Sequence, residues 1–297
     1  MDASLTVPDV PSPDLLEKES RLVAWFRARG SVLIGFSGGV DSAYLACVAL
    51  EAVGAERMLA VIGRSASFPD EQWVRARAVA AQFGVPVFEL DTDEMNDPRY
   101  AANPVNRCYY CKTELWSKLV PVARARALAV VVDGSNFDDL ADIRPGARAA
   151  HERGVESPLA ELRFTKDDIR VLSRARGIPT WSQPSSPCLS SRLPYGTEVT
   201  TLRLGKVEQA ERALRALGVT GNLRVRYHGE TARVELDAGQ LDHWSAAARR
   251  GPMRDAVRVA GFARVELDLR GFRSGALNEL VRDERADARV LDLTEAD

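Results

Sequence analysis

The 297-residue chain has no apolar run close to the roughly 20 residues that a membrane-spanning helix needs. Its first segment, residues 1–20, has no basic stretch followed by an apolar one, so a signal peptide is not indicated. Hydrophobic residues make up 45% and charged residues 28% of the chain, which excludes disorder over most of its length. We therefore expect a globular protein located in the cytoplasm.

An excess of either charge is also missing. Lys and Arg together number 40, Asp and Glu number 42, and the formal net charge is -2. Residues 198–297 carry 17 basic and 17 acidic side chains, which leaves 23 and 25 for the rest of the chain. A chain without a basic arm has no bulk attraction for nucleic acid. We therefore expect no nucleic acid among its partners. The charge balance does not exclude a local basic pocket.

Cysteine is equally scarce, with four residues: Cys47, Cys108, Cys111 and Cys188. Thiols stay reduced in the cytoplasm, so a disulfide framework is not expected. Cys108 and Cys111 form C-x-x-C at the start of a predicted helix, where Arg107 and the helix N-terminus favour the thiolate. The pair fits a redox couple, half of a zinc site or part of an iron–sulfur site. Cys47, on another predicted helix, fits small apolar packing.

Histidine is too scarce to favour zinc. The chain has three, His151, His228 and His243, and none has the spacing of a zinc finger. A cubane iron–sulfur cluster held by three cysteines needs no fourth protein ligand and leaves one iron open to an exogenous group such as sulfide. Three cysteines are therefore chemically sensible ligands for such a cluster.

Short apolar runs alternate with helical periodicity in the N-terminal part of the chain. The predicted strands are 31–36, 58–63, 85–91 and 129–135, and the helices between them are 42–53, 69–83 and 109–127. This alternation predicts an α/β fold with a doubly wound parallel sheet. Right-handed crossovers place the carboxyl ends of the strands at one edge, where ligands bind.

The pattern changes after Gly177. Residues 180–197 are rich in serine and proline and have no clear period, which is typical of a functional loop. Residues 201–217 have the pattern of an amphipathic helix, and 222–228 and 231–237 alternate like a hairpin. The string ARVELD occurs twice, at 232–237 and 263–268. Two similar strands that flank a helix predict a small α+β unit.

The strongest single motif follows the first predicted strand and opens a helix. It consists of Ser37, Gly38, Gly39, Val40, Asp41 and Ser42. Glycines let the backbone approach an anion, and the amides of a helix N-terminus hold its oxygens. Ser37 and Ser42 add hydroxyl donors, whereas Asp41 repels phosphate and is better suited to a bridging Mg²⁺. The motif lacks the lysine of a Walker loop and the G-x-G-x-x-G of a dinucleotide fold.

A second string, Asp133-Gly134-Ser135-Asn136, ends the fourth predicted strand and therefore reaches the same edge of the sheet. Gly134 and Asn136 are small enough to leave room for a nucleotide. The carboxylates of Asp138 and Asp139 follow and suit a metal. Alone, this string would be interpreted as a turn with a helix N-cap.

The SGGVDS loop resembles that of the PP-loop ATP pyrophosphatases, which cleave ATP between the α and β phosphates. Together with NRCYYCK, DGSNFDDLADIRPGARA, SPLAELRFTKDDIR and PCLSSRLPYGTEVT, it is similar to the LarE family of ATP-dependent sulfur transferases. The last of these strings is the most discriminating. The resemblance runs from about residue 31 to residue 230 and implies synthesis of a nickel-pincer cofactor.

Composition and pattern, together with this resemblance, predict five segments. They are a flexible lead-in over 1–13, a PP-loop ATP pyrophosphatase domain over 14–184, an active-site loop over 185–200, a small α+β domain for substrate binding and assembly over 201–281, and a charged tail over 282–297. The resemblance also implies a homo-oligomer.

For the reaction, the resemblance implies adenylation of a carboxylate of pyridinium-3,5-biscarboxylic acid mononucleotide, with release of pyrophosphate, and conversion to a thiocarboxylate. In one subgroup the cysteine matching Cys188 gives up its own sulfur and becomes dehydroalanine. In another, cysteines matching Cys108, Cys111 and Cys188 hold a [4Fe–4S] cluster that carries sulfide. Because this chain has all three, we expect the cluster, and ATP, Mg²⁺ and a sulfur donor as further partners.

The substrate carries a phosphate and needs cations. Arg224 and Arg226 alternate along one predicted strand and share a face, so we predict that they bind this phosphate, with solvated strand arginines as the alternative. Arg192 follows Cys188 in the loop and is a further candidate. The remaining candidates for the substrate pocket are Trp181, Ser191 and Glu211.

Two other functions remain open at this point. A PP-loop enzyme that thiolates tRNA shares the loop and the cysteines, although the charge balance disfavours it. A nucleotide- or metal-sensing protein without turnover needs the same phosphate loop and no acceptor. Substrate-dependent release of pyrophosphate separates the enzyme from the sensor.

Overall fold

The computed structural model describes residues 10–141, 145–184, 186–273 and 289–294. Its helices are α1 (Pro13–Arg29), α2 (Val40–Val53), α3 (Asp70–Phe83), α4 (Pro98–Ala101), α5 (Arg107–Ala125), α6 (Pro145–Glu152), α7 (Pro158–Glu161), α8 (Lys166–Ala175), α9 (Thr201–Ala216), α10 (Ala238–Ser245) and α11 (Ala247–Arg258). Its strands are β1 (Val32–Gly35), β2 (Met58–Arg64), β3 (Val87–Asp91), β4 (Val130–Val132), β5 (Leu223–His228), β6 (Thr231–Leu236), β7 (Arg264–Asp268) and β8 (Val290–Asp292).

The chain divides into two units by its internal contacts. The first unit runs up to Tyr100 and continues over Val105–Ser186, and the second comprises Ala101–Pro104 and Pro187–Asp297. Of the predicted lead-in, residues 1–9 lie outside the described residues, as do 274–288 and 295–297 at the other end. None of the helices in the described part of the chain is long and apolar enough to cross a membrane.

The first unit contains a parallel sheet in the order β3-β2-β1-β4. Alternate residues of the central strand bury on opposite faces: Val32 and Ile34 pack into one apolar cluster with α1, α2 and α8, and Leu33 packs into another with α5 and α6. Because helices cover both faces, β1, β2 and β4 consist mainly of apolar residues, whereas the edge strand β3 includes Glu89 and Asp91. The predicted α/β fold with a doubly wound parallel sheet is confirmed.

The second unit contains a smaller sheet in the order β5-β6-β7-β8. β5 and β6 form the antiparallel hairpin, and β6 runs parallel to β7 with Thr231 opposite Arg264. The two ARVELD strings are therefore neighbouring strands, joined through α10 and α11 where the sequence predicted one helix. β8 lies inside the segment predicted as a charged tail and pairs antiparallel with β7.

Candidate functional site

The phosphate loop joins the carboxyl end of β1 to the N-terminus of α2, as the motif predicts. Gly38 has a φ of +69°, and a Cβ at this position would lie 2.4 Å from the Cα of Ala76 on α3. Both the left-handed backbone and the close approach therefore require glycine here. Gly39 is the N-cap of α2 and gives no side-chain cap hydrogen bond, so the amides of the first turn have no acceptor within the helix.

The two serines of the loop close it into a narrow turn. The backbone amide of Ser37 donates to Ser42 Oγ at 3.2 Å, and the two hydroxyls lie 3.1 Å apart. Gln72, a buried side chain of α3 that the sequence analysis missed, donates from Nε2 to the carbonyl of Ser37 at 3.1 Å. These contacts fix the conformation of the loop.

The end of β4 packs directly against this loop. A Cβ on Gly134 would lie 3.1 Å from the amide nitrogen of Ser42, so a larger residue would press on the helix N-terminus. Asn136 is buried, and its Nδ2 lies 3.4 Å from Asp41 Oδ1. The structure thus brings together the two strings that the sequence placed at one edge of the sheet.

Asp41 has a second partner that the sequence analysis missed. Lys166 Nζ, at the first residue of α8, donates to Asp41 Oδ2 at 2.6 Å. Lys166 lies within the SPLAELRFTKDDIR string. The similarity of this string to the family is the signal in the sequence that points to the segment. The carboxylate of Asp41 is a hard oxygen donor, and Mg²⁺ needs only one or two carboxylates beside phosphate oxygens. Asp41 therefore suits the predicted Mg²⁺, whereas the amide oxygen of Asn136 accepts from the backbone amides of Asp138 and Asp139.

Cys188 begins the candidate site of the second unit. It is half-buried and is the N-cap of a short 3-10 turn that ends at Arg192. Arg192 is 2% exposed and donates from Nη1 to the carbonyls of Pro187 and Cys188, at 2.7 and 3.2 Å. The backbone that presents the Cys188 thiol is therefore held by a guanidinium from inside the unit.

Glu211 on α9 links this segment to β5. Arg192 donates to it from Nε at 2.9 Å and from Nη2 at 3.0 Å, and the amide of Val225 donates to Glu211 Oε1 at 3.0 Å. Burial raises the pKa of Glu211, but Arg192 and the Val225 amide outweigh it and hold this pKa below its ordinary value. Glu211 is thus an ionised anchor between the cysteine segment and the strand that carries the predicted phosphate ligands.

Arg224 and Arg226 are both buried on β5, which disfavours the alternative of solvated strand arginines. Arg226 donates to Glu235 from Nε and Nη2, at 3.0 and 2.8 Å, and from Nη1 to the carbonyl of Ser191 at 2.8 Å. Burial, together with the charges of Arg192 and Arg226, lowers the pKa of Arg224 to about 9. Three guanidiniums against two carboxylates leave a positive cluster, which an anion would neutralise.

The cysteines divide between the two units. Cys108 is exposed and Cys111 half-buried, and both lie in the first turns of α5 in the first unit, three residues apart and so on one face. Cys188 belongs to the second unit. Among the described residues, no group of three or more His, Cys, Asp or Glu side chains is arranged to hold a metal ion. Three thiolates suit an iron–sulfur cluster chemically.

Two further residues of the sequence analysis lie in the first unit. Trp181 is partly buried against the core, and its ring centroid lies 4.8 Å from the guanidinium carbon of Arg174 on α8. The other predicted substrate residues lie in the second unit. Cys47 is buried on α2, and its burial raises the pKa of the thiol to about 11. A protonated, buried thiol is consistent with apolar packing.

A family model described as NAD synthase matches residues 21–107, the part of the chain that contains the phosphate loop. The pyridinium-3,5-bisthiocarboxylic acid mononucleotide synthase of Lactiplantibacillus plantarum is 35% identical over 265 residues, which cover 89% of this chain and 95% of the synthase.

Two uncharacterised proteins are also similar. One from Synechocystis sp. is 42% identical over 267 residues, covering 90% of this chain and 99% of that protein. One from Methanocaldococcus jannaschii is 28% identical over 223 residues, covering 75% and 84% of the two chains. The similarity therefore extends over both units and beyond the phosphate loop.

Proposed function

The chain belongs to the LarE family of PP-loop enzymes, and we propose that it is an ATP-dependent sulfur transferase. It adenylates a carboxylate of pyridinium-3,5-biscarboxylic acid mononucleotide, releases pyrophosphate and converts the acyl adenylate to a thiocarboxylate. The observation that carries this proposal is the pre-formed phosphate loop, with the end of β4 packed on Ser42. The printed name of the Lactiplantibacillus relative supports the choice of substrate.

The first step needs a site for the departing pyrophosphate. A carboxylate is a poor acyl donor because its oxygen is a poor leaving group. Esterification to AMP gives the acyl group a good leaving group. The substrate oxygen attacks the α phosphorus, and the bond to the β phosphate breaks. The amides at the start of α2, with Ser37 and Ser42, bind the leaving pyrophosphate. Mg²⁺ held by Asp41 would neutralise the charge that builds up on these oxygens.

The second step needs sulfur at the acyl carbon. In the route through Cys188 alone, its thiolate attacks the acyl carbon and displaces AMP, which gives a thioester. Loss of the Cα proton and cleavage of the Cβ–Sγ bond then leave dehydroalanine and the thiocarboxylate, without a change in overall redox state. In the other route, Cys108, Cys111 and Cys188 hold a [4Fe–4S] cluster, which would supply sulfide from its open iron.

Residues of the second unit serve the substrate in this proposal. Arg224 and Arg226 bind its phosphate, with Ser191 and Glu211 beside them, and Arg192 holds the Cys188 segment in place. Trp181 is a further contact of the substrate. Sulfide or another sulfur donor is a further partner, and the assembled form is a homo-oligomer.

The decisive experiment measures pyrophosphate release from ATP with and without pyridinium-3,5-biscarboxylic acid mononucleotide. We expect release only with this substrate, and a product heavier by the exchange of one oxygen for sulfur. The measurement combines a coupled pyrophosphate assay with mass spectrometry of the nucleotide.

Two outcomes would favour the other functions. Binding of tRNA at physiological salt, without binding of the pyridinium nucleotide, would favour a tRNA thiolation enzyme. ATP that is bound but never cleaved with any carboxylate substrate would favour a sensor.

Replacing Arg224 with glutamine tests the phosphate site. Because this substitution removes a cation from a buried positive cluster, we expect the melting temperature to be retained. Loss of a charge-assisted phosphate contact costs about 1.5–3 kcal/mol, so KM for the pyridinium substrate rises about 10- to 100-fold while KM for ATP stays unchanged. Steady-state kinetics and a thermal melt measure both effects.

The matched control is Arg233→Gln. Arg233 is an arginine of the same sheet and pairs with Glu266 on β7. This substitution is expected to leave both KM values within about twofold, because Arg233 is not one of the arginines that we assign to the phosphate. Equal effects of the two substitutions would contradict the phosphate site.

A further inference from the structure

The ion pair between Lys166 and Asp41 occupies an oxygen that the proposed reaction needs. Lys166 Nζ lies 2.6 Å from Asp41 Oδ2, and the side chains are 32% and 22% exposed. Asn136 Nδ2 lies 3.4 Å from the other oxygen. A cation that binds Asp41 in company with phosphate oxygens must therefore compete with the lysine.

The backbone of Lys166 is fixed even though its side chain can move. Its amide donates to Asp138 Oδ2 at 2.7 Å, and Thr165 and Asp168 form a capping box at the start of α8. Lys18 on α1 donates to Asp168 Oδ2 at 2.6 Å. The ammonium therefore stays within the reach of its own side chain from the phosphate loop when it leaves Asp41.

The charges around the loop give this lysine a second role. Asp41 and Asp138 are carboxylates beside a loop that binds a polyanion, and the loop lacks the lysine that a Walker motif places at the phosphates. Lys166 reaches the same place from α8, 125 positions along the chain from Asp41. A lysine is a flexible point charge and can change partners without moving the backbone.

We propose that a divalent cation and Lys166 exchange at Asp41, and that the displaced ammonium binds the phosphate chain of ATP. In the protein without nucleotide, Lys166 neutralises Asp41. When the cation takes Asp41, the lysine supplies the positive charge for the pyrophosphate group. The inference rests on the proposed function in that it assigns the phosphate loop to ATP, and it needs neither the pyridinium substrate nor sulfur transfer.

The Lys166→Met substitution tests both roles of the lysine, because it is expected to raise the affinity for Mn²⁺ and to lower the affinity for pyrophosphate. Without a competing ammonium, Mn²⁺ alone binds about fivefold more tightly, the amount expected from a partly exposed ion pair. Without the phosphate ligand, inorganic pyrophosphate in saturating Mg²⁺ binds about 10- to 100-fold more weakly. Electron paramagnetic resonance of Mn²⁺ and calorimetric titration of pyrophosphate measure the two constants, and Lys166→Arg recovers part of the pyrophosphate affinity.

Lys118→Met is the matched control. Lys118 lies on α5 of the same unit and is also 32% exposed. It pairs with Asp93 at 2.5 Å. It is expected to change neither affinity. A role of Lys166 limited to neutralising Asp41 predicts unchanged pyrophosphate affinity in Lys166→Met, and a role limited to phosphate predicts unchanged Mn²⁺ affinity. Either result overturns the exchange.

The unmodified protein gives a test that does not depend on a variant that folds. Acetylation of lysines by N-hydroxysuccinimidyl acetate, mapped by mass spectrometry, reports whether Lys166 is paired. We expect Mg²⁺ alone to raise the rate at Lys166 and Mg²⁺ with pyrophosphate to lower it, while Lys118 does not respond. Unchanged acetylation at Lys166 in both conditions overturns the proposal. If the proposed substrate is wrong but the exchange is right, these ligand effects persist without any thiocarboxylate product.

Discussion

Replacing Cys188 with alanine is expected to abolish thiocarboxylate formation while adenylation of the substrate continues. The thiol is the common element of both sulfur routes, so its loss lowers product formation at least about a thousandfold. Pyrophosphate exchange into ATP depends on the phosphate loop of the first unit, and we expect it to stay within about twofold. Isotope exchange and mass spectrometry of the nucleotide product measure the two steps separately.

Mass spectrometry of the protein after turnover then distinguishes the two routes. If Cys188 gives up its own sulfur, the wild-type peptide becomes lighter by hydrogen sulfide, and Cys108→Ala still makes product once. If a cluster carries the sulfide, anaerobically purified protein absorbs at about 400 nm. Cys108→Ala, Cys111→Ala and Cys188→Ala each lose that absorbance. Cys47→Ala is the control, because Cys47 is buried and belongs to neither route.

Asp41→Asn is expected to lower substrate-dependent pyrophosphate release about a hundredfold or more. The substitution removes the carboxylate that we assign to Mg²⁺, so charge on the departing pyrophosphate is no longer neutralised through it. The side chain keeps its size, and α2 keeps its N-terminal amides, so we expect the fold to survive. A pyrophosphate assay over a range of Mg²⁺ concentrations measures the effect, and excess Mg²⁺ should recover part of the rate.

Asp97→Asn provides the comparison for charge loss alone. The side chain of Asp97 is 25% exposed, close to the 22% of Asp41, and it pairs with Arg99 in the same unit. This variant is expected to release pyrophosphate at the wild-type rate. A similar loss in both variants, or a fully active Asp41→Asn, would contradict the role of Asp41.

The sequence by itself determined the features that depend on neighbours along the chain. The apolar runs around Val32 and Met58 predicted β1 and β2, because a strand buried on both faces needs apolar side chains throughout. The phosphate loop was predicted because a left-handed glycine and a helix start are local requirements of backbone geometry, as Gly38 shows. The family strings extended these predictions to a substrate, which no local rule could supply.

Only the tertiary structure decided which side chains meet. Lys166 and Asp41 are 125 positions apart, and nothing in either segment alone indicates that they pair. The sequence predicted Arg192 as a substrate ligand. The structure shows that its guanidinium donates to Glu211 and to the carbonyl of Cys188. Partner choice for a buried charge depends on every element packed around it, because an unpaired charge in the interior is too costly to leave there. That information is spread over the whole fold and is absent from any one stretch of sequence.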